Sequence, residues 1–278
     1  MLRLLSAVLL ITVALFALYL LIQKPKTDRV WLSEQARTAT TSEAEGLITI
    51  HNVRDWTYSV PGPLSEDWTD VSIDPSSVTR TWFLIEPFSQ LEAVGHTFLS
   101  FEFADGTVLS FSVEAKRERG EEYSALKGQF RAYELSYQWG LERDFVTRRL
   151  IYLDHPLRLY PLTLSPESSE ALFRSLLEET DALSQTPRWY NTLTANCTNV
   201  LATIVNRHYP GTLPYDISWN LTGYADRYLM EQGLIEMSGD VASTQALHDL
   251  TPFKNEVQAL ATSSPHIFSA EIRALLRP

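Results

Sequence analysis

The chain has 278 residues, 45% of them hydrophobic, with a formal net charge of −11, one cysteine and six histidines. That length and apolar fraction suffice for one sizeable core, and a lone cysteine excludes an internal disulfide. The acidic balance argues against nucleic acid as a partner and against electrostatic docking on anionic lipid, since residues 1–29 contribute a net +3 and leave the remainder more negative still.

Leu4 to Ile22 is an uncharged, predominantly apolar stretch. As a helix it spans roughly 28 Å, close to the hydrocarbon thickness of about 30 Å. A cleaved signal peptide has a shorter apolar region and a small-residue cleavage site, and Leu20-Leu21-Ile22-Gln23 offers none. Residues 1–29 are therefore expected to form an uncleaved signal-anchor segment with its span at about 4–22, a long secretory signal being the alternative. Lys24, Lys26 and Arg29 outnumber Arg3, so the positive-inside rule alone would keep the rest of the chain in the cytoplasm. The Thr, Ser, Lys and Glu of residues 30–45 read as a linker; a flexible one running from Gln23 to about Ala44 would reach only roughly 25 Å, which keeps the domain near the membrane.

Residues 46–278 read as one domain, with no Pro/Gly/Ser-rich break. Strand-like runs occur at Ile48 to Tyr58, Thr81 to Ile85, Thr97 to Phe103, Thr107 to Val113, Arg131 to Tyr137, Phe145 to Tyr152 and Leu157 to Leu164. Ser165-Pro166-Glu167 then starts a helix with apolar positions at Leu172, Phe173, Leu176, Leu177 and Leu183. A further helix carries Cys197, Val200, Leu201, Ile204 and Val205 on one face, with Thr194 or Asn196 as its N-cap. Strands first and helices after predict an α+β fold with an antiparallel sheet.

Cys197 falls in the first turn of that last helix. Unpaired N–H groups and the helix dipole favour a thiolate there, and the same amides can bind an oxyanion. The competing reading is a packed core cysteine, so a histidine must be found elsewhere. His208 lies about three turns along the same helix, roughly 16 Å away, beyond proton transfer. His155, His248 and His266 read as surface residues, and His51, in a strand-like run, is a weaker choice. His96 opens a strand, a rigid platform facing the start of a helix. Asp105-Gly106 between the two adjacent runs predicts a hairpin. A two-residue loop sets His96 opposite Ala115; a three-residue loop, Ala104 to Gly106, sets it opposite Glu114, which could then orient the imidazole. Ser112 is the alternative for that role.

With these residues in view, the chain resembles a known family. Histidine on a strand before cysteine on a helix looks like the circularly permuted branch of the NlpC/P60 papain-like thiol enzymes. More closely, the segments Ile50 to Tyr58, Gly95-His96-Thr97-Phe98, Ser112 to Glu118, Tyr133 to Tyr137, Glu142-Arg143-Asp144, Trp189 to Thr198 and Phe268 to Arg273 are similar to the Lnb N-terminal periplasmic domain family. The resemblance implies a permuted papain-like domain acting as a thiol acyl-transfer enzyme of bacterial envelopes on a lipid or lipoprotein acyl substrate. Cys197 would be the nucleophile, His96 the base and Glu114 the orienting acid. Against the charge bias it implies that the domain lies in the periplasm, which with the anchor at Leu4 to Ile22 makes an inner-membrane protein, single-pass, with the catalytic domain in the periplasm. The sequence departs from the family in one respect: members carry further membrane helices after this domain, and no second apolar span follows here.

No metal-ligand spacing or phosphate-cradling glycine loop occurs, and no cofactor is expected. The aromatic residues Tyr133, Tyr137, Trp139, Trp189 and Tyr190 read chiefly as core, with an acyl groove as the alternative. Arg131, Glu134, Glu142, Arg143 and Asp144 read as a solvated or salt-bridged face. Two other functions use the same features: a peptidoglycan peptide hydrolase with the same Cys197 and His96, and a non-catalytic envelope scaffold.

Overall fold

The computed structural model describes residues 1–209 and 211–276. Among these an eight-stranded sheet forms the centre: β1 (Thr40–Ala44), β2 (Leu47–Tyr58), β3 (Pro63–Ile73), β4 (Val78–Glu86), β5 (His96–Phe103), β6 (Val108–Lys116), β7 (Glu134–Leu141) and β8 (Arg158–Pro161). The order is β1-β2-β7-β6-β5-β4-β8, with β3 also paired to β2. The pairings are antiparallel except for a single parallel bridge, Arg54 to Gly140, between β2 and β7. The helices are α1 (Leu2–Ile22), α2 (Glu142–Thr147), α3 (Pro166–Gln185), α4 (Cys197–His208), α5 (Ala225–Glu231), α6 (Val241–Leu247), α7 (Lys254–Leu260) and α8 (Pro265–Leu275). The fold is mixed α+β, with one apolar N-terminal helix long enough to cross a membrane.

Alternate residues of each central strand point to opposite faces, and both faces are covered. Phe83, Ile85, Leu99, Phe101 and Phe103 pack with Phe173 and Leu176 of α3 and Leu201 and Ile204 of α4. Trp82, Leu84 and Phe98 pack with Phe145 and Val146 of α2, Val257 of α7 and Phe268 and Ile272 of α8. Ser165 caps α3 by accepting from Ser168 N–H, and Pro166 fills its first turn.

Two expectations are corrected. Phe145 to Tyr152 is helical, not a strand: α2 continues into a wider turn over Arg148–Tyr152. Phe145, Val146, Leu150 and Ile151 are all buried, and such a short apolar run has no period that separates strand from helix. The segment read as a flexible linker packs on the domain instead. Trp31 is buried with the Lys116 ammonium 4.7 Å from its ring centroid, Gln35 Nε2 donates to Ala115 O at 3.3 Å, and Gln35 Oε1 accepts from Arg117 N–H at 2.8 Å.

Candidate active site

The start of α4 is fixed from both sides. Asn196 Oδ1 accepts from Asn199 N–H at 2.9 Å, and Asn199 Oδ1 accepts from Asn196 N–H at 2.8 Å, a reciprocal capping box. Asn196 Nδ2 also donates to Thr192 O and Trp219 O, at 3.0 and 2.9 Å. Of the two N-caps open in the sequence, Asn196 takes the role, and Cys197 becomes the first helical residue, buried, with no carbonyl one turn back for its N–H.

The β5–β6 loop is the three-residue one. Phe103 N–H donates to Thr107 O and Gly106 N–H to Phe103 O, both at 2.9 Å, with Gly106 at φ +85°. Phe98 pairs with Ser112, and the same register continued places His96 opposite Glu114. Glu114 Oε1 accepts from the Ser112 hydroxyl at 2.7 Å and lies 3.2 Å from His96 Nε2. Because the Ser112 hydroxyl spends its one proton on Glu114, it accepts from His96 Nε2–H at 2.7 Å. Nε2 being engaged, Nδ1 is the ring nitrogen left for the Cys197 thiol, which lines the same cavity and acts electrostatically on the ring.

The electrostatics follow from burial opposed by charge. Burial lowers the affinity of His96 for a proton, but the Glu114 carboxylate and the Cys197 sulfur outweigh it and push the imidazole up to about 10. Burial raises the Cys197 thiol, yet the neighbouring His96 imidazole, with the hydroxyl and backbone N–H of Thr97, brings it below its ordinary value. Burial also raises the carboxyl of Glu114, and His96, Arg149 and Ser112 together hold it well below the usual carboxylate range. These shifts share one sense: they favour a thiolate–imidazolium pair backed by an ionised acid.

Behind the pair lies a group the sequence did not expose. Arg149 Nη2 donates to Glu114 Oε1 at 3.1 Å, its Nε lies 2.9 Å from Glu86 Oε2, and Glu86 Oε1 lies 2.6 Å from His155 Nδ1. Arg149 sits in the wide turn after α2, inside the run expected to be a strand. His155, expected on the surface, is half-buried against Glu86 because that carboxylate needs a second partner. His248 is likewise half-buried, bonded to Leu159 O at 3.0 Å, whereas His266 is exposed. His208 stands at the far end of α4, and His51 is held between Ser42 and Asp70 at 2.8 Å each, apart from the residues around Cys197.

Cys197, His96 and Glu114 share a cavity of about 360 Å³ with Tyr190, Asn220 and Thr222. A second cavity of about 290 Å³ lies between α3, α4 and α5, lined by apolar residues such as Leu99, Leu172, Leu201, Val205 and Leu229. Thr97 and Thr198 border it, bonded to each other at 3.1 Å, with Thr198 Oγ1 3.9 Å from the Cys197 sulfur. Tyr133, Tyr137 and Trp139 are core, with Trp139 Nε1 donating to Thr180 Oγ1 at 2.9 Å. Glu142 and Asp144 are not solvated but fully buried, paired with Arg273 and Arg54. No group of three or more His, Cys, Asp or Glu suited to a metal ion occurs among the described residues.

An α+β domain carrying an apolar N-terminal helix, with a cysteine and histidine brought together at the end of its sheet, defines the class of protein. The model of the Lnb N-terminal periplasmic domain matches residues 65–222, and the chain belongs to that family. No curated protein and no solved structure matches it.

Proposed function

We propose that the protein is an inner-membrane envelope enzyme, its domain in the periplasm, that transfers acyl groups from lipid or lipoprotein through a thioester on Cys197. The observation that carries this reading is the placement of the Cys197 thiol in one cavity with an imidazole that is itself held by Ser112 and Glu114, the imidazole drawing the thiol below its ordinary value. The order of histidine strand and cysteine helix is that of permuted papain-like enzymes. The apolar cavity beside Thr97 and Thr198 supports an acyl chain as the group carried.

In this mechanism the Cys197 thiolate attacks an ester or amide carbonyl, and the first N–H groups of α4 stabilise the oxyanion. The tetrahedral species collapses as His96 gives its proton to the departing oxygen or nitrogen, leaving a thioester. His96, now neutral, takes a proton from the incoming amine or water; the acyl group passes to that acceptor and the thiolate returns. Ser112 and Glu114 hold the ring in the required tautomer.

The test is intact mass of the full chain in detergent after incubation with phospholipid and with a diacylated lipopeptide. Wild type gains one acyl chain, released by hydroxylamine; Cys197→Ala gains none, and His96→Ala gains far less at equal times. Cleavage of muropeptides without any acyl adduct replaces this reading by a peptide hydrolase. Absence of both, with an unreactive thiol, replaces it by a scaffold.

A further inference from the structure

α1 meets the domain at its C-terminal end. The Phe16 ring packs on Phe130 with centroids 5.8 Å apart, Arg131 donates to the carbonyls of Leu20 and Gln23, and Trp189 Nε1 donates to Gln23 O at 3.4 Å. Phe16 lies six residues before Ile22, roughly 9 Å along the axis at about 1.5 Å per residue. A stretch from Leu4 to Ile22 fills a hydrocarbon layer of about 30 Å, so Phe16 is inside that layer. A ring in contact with it cannot sit wholly in water.

The surroundings of Phe130 match such a position. Phe130 itself is 45% exposed beside α1, Leu126 is 66% and Leu193 is 52% exposed, a run of large apolar side chains uncovered in two neighbouring loops. Those loops are laced together: Thr192 Oγ1 donates to Ala125 O at 2.7 Å, Thr192 N–H to Gly128 O at 3.4 Å and Asn191 Nδ2 to Gln129 O at 3.2 Å. Trp189 and Arg131 at the end of α1 are residue types that favour the headgroup level. The second loop runs directly into Asn196 and Cys197, and Tyr190 lines both the gap beside α1 and the Cys197 cavity.

We propose that the lip formed by residues 124–131 and 192–194 is immersed in the leaflet that holds the Ile22 end of α1, so that the Cys197 cavity opens on the bilayer and draws its carbonyl substrate from it. The immersion stands on the contacts with α1; the lateral supply of substrate rests on the acyl-transfer reading. A lipid leaflet is the occupant because the apolar lip is continuous with a helix whose other faces are exposed and apolar.

The test uses the full chain carrying Cys197→Ala, reconstituted in vesicles of phosphatidylethanolamine and phosphatidylglycerol. Leu126→Cys, Phe130→Cys and Leu193→Cys are labelled singly with an environment-sensitive nitrobenzoxadiazole, and Leu64→Cys, exposed on β3, serves as control. At the three lip positions the emission shifts to the blue and nitroxide-bearing lipid quenches it at least threefold more than at the control. Emission and quenching equal to the control at these positions overturn the proposal, whatever Cys197 does. Quenching as expected, with no acyl adduct on Cys197 in the wild type, overturns the enzyme reading and leaves the immersed lip standing.

Discussion

Arg149 donates from Nη2 to Glu114 Oε1 at 3.1 Å, so the acid behind the imidazole is itself held by a buried guanidinium. The same side chain approaches Glu86, and one cation therefore neutralises two carboxylates that would otherwise face each other inside the domain. Arg149→Met removes this shared cation, leaving Glu114 only His96 and Glu86 only His155, and is expected to cost about 3–5 kcal/mol. Arg149→Lys keeps the charge but cannot span both acids with a planar fork. It is expected to melt within a few degrees of wild type while Cys197 alkylation at neutral pH slows severalfold. Melting curves beside iodoacetamide kinetics separate the two effects; a lysine variant that alkylates as wild type would remove Arg149 as a positioning residue.

The thiol's reactivity should depend on His96 in a way pH reveals. The Cys197 thiol is lowered and the imidazole raised, so the thiolate forms at lower pH than in an ordinary cysteine, and alkylation falls as acid protonates the sulfur. In His96→Ala the largest lowering influence is gone and burial is opposed only by Thr97, so the thiol rises and less of it is thiolate at pH 7. Alkylation at pH 7 is then expected to drop severalfold and to recover as pH rises. Superimposable pH profiles for the two proteins would return Cys197 to a packed core residue.

The parts of this arrangement differ in how visible they are in one dimension. Cys197 and His96 are each marked by local pattern, a helix start after Asn196 and a strand start before Thr97. Glu114 was legible only as one of two hairpin registers, because Asp105-Gly106 announces a turn without stating whether Ala104 belongs to it; the bond from Phe103 to Thr107 decides it. Arg149 and Glu86 were hidden for another reason. A buried ion pair joins distant segments, and the apolar run around Arg149 carries no period to tell strand from helix. The polar β3 escaped notice likewise, since its residues are largely exposed and it pairs along one side of β2.

Stability against pH isolates the Glu114–His96 contact. In a Cys197→Ala background the thiol's share is removed. The lowered Glu114 carboxyl contributes stability that is complete above about pH 4.5 and lost as pH falls through its depressed value. The raised His96 contributes stability that is complete below about pH 6.5 and lost as pH rises through its elevated value. The difference in melting temperature between Cys197→Ala and Cys197→Ala with Glu114→Gln is therefore expected to be greatest between pH 4.5 and 6.5, shrinking on either side. A difference that stays constant from pH 3 to 10 would mean that the two groups do not interact.

Buried charges of the resembling segments clasp one another away from Cys197. Asp144 accepts from Arg54 Nε and Nη2 at 2.8 and 2.6 Å through its two oxygens and from Trp56 N–H at 2.9 Å, while Glu142 takes both Nη groups of Arg273 at 2.6 and 2.9 Å. α2 is thereby fixed to β2 on one side and to α8 on the other, and it leads directly into the turn that carries Arg149. Asp144→Ala strands the Arg54 guanidinium without a carboxylate and is expected to cost about 3–5 kcal/mol, roughly a 10 °C loss in melting temperature for a domain of this size. Replacing both partners, Arg54→Met with Asp144→Leu, removes the unpaired charge and should recover most of that loss. Thermal melts of the three proteins in the same detergent decide it: a double variant no more stable than Asp144→Ala would show that the pair's geometry, rather than its charge balance, holds α2 in place.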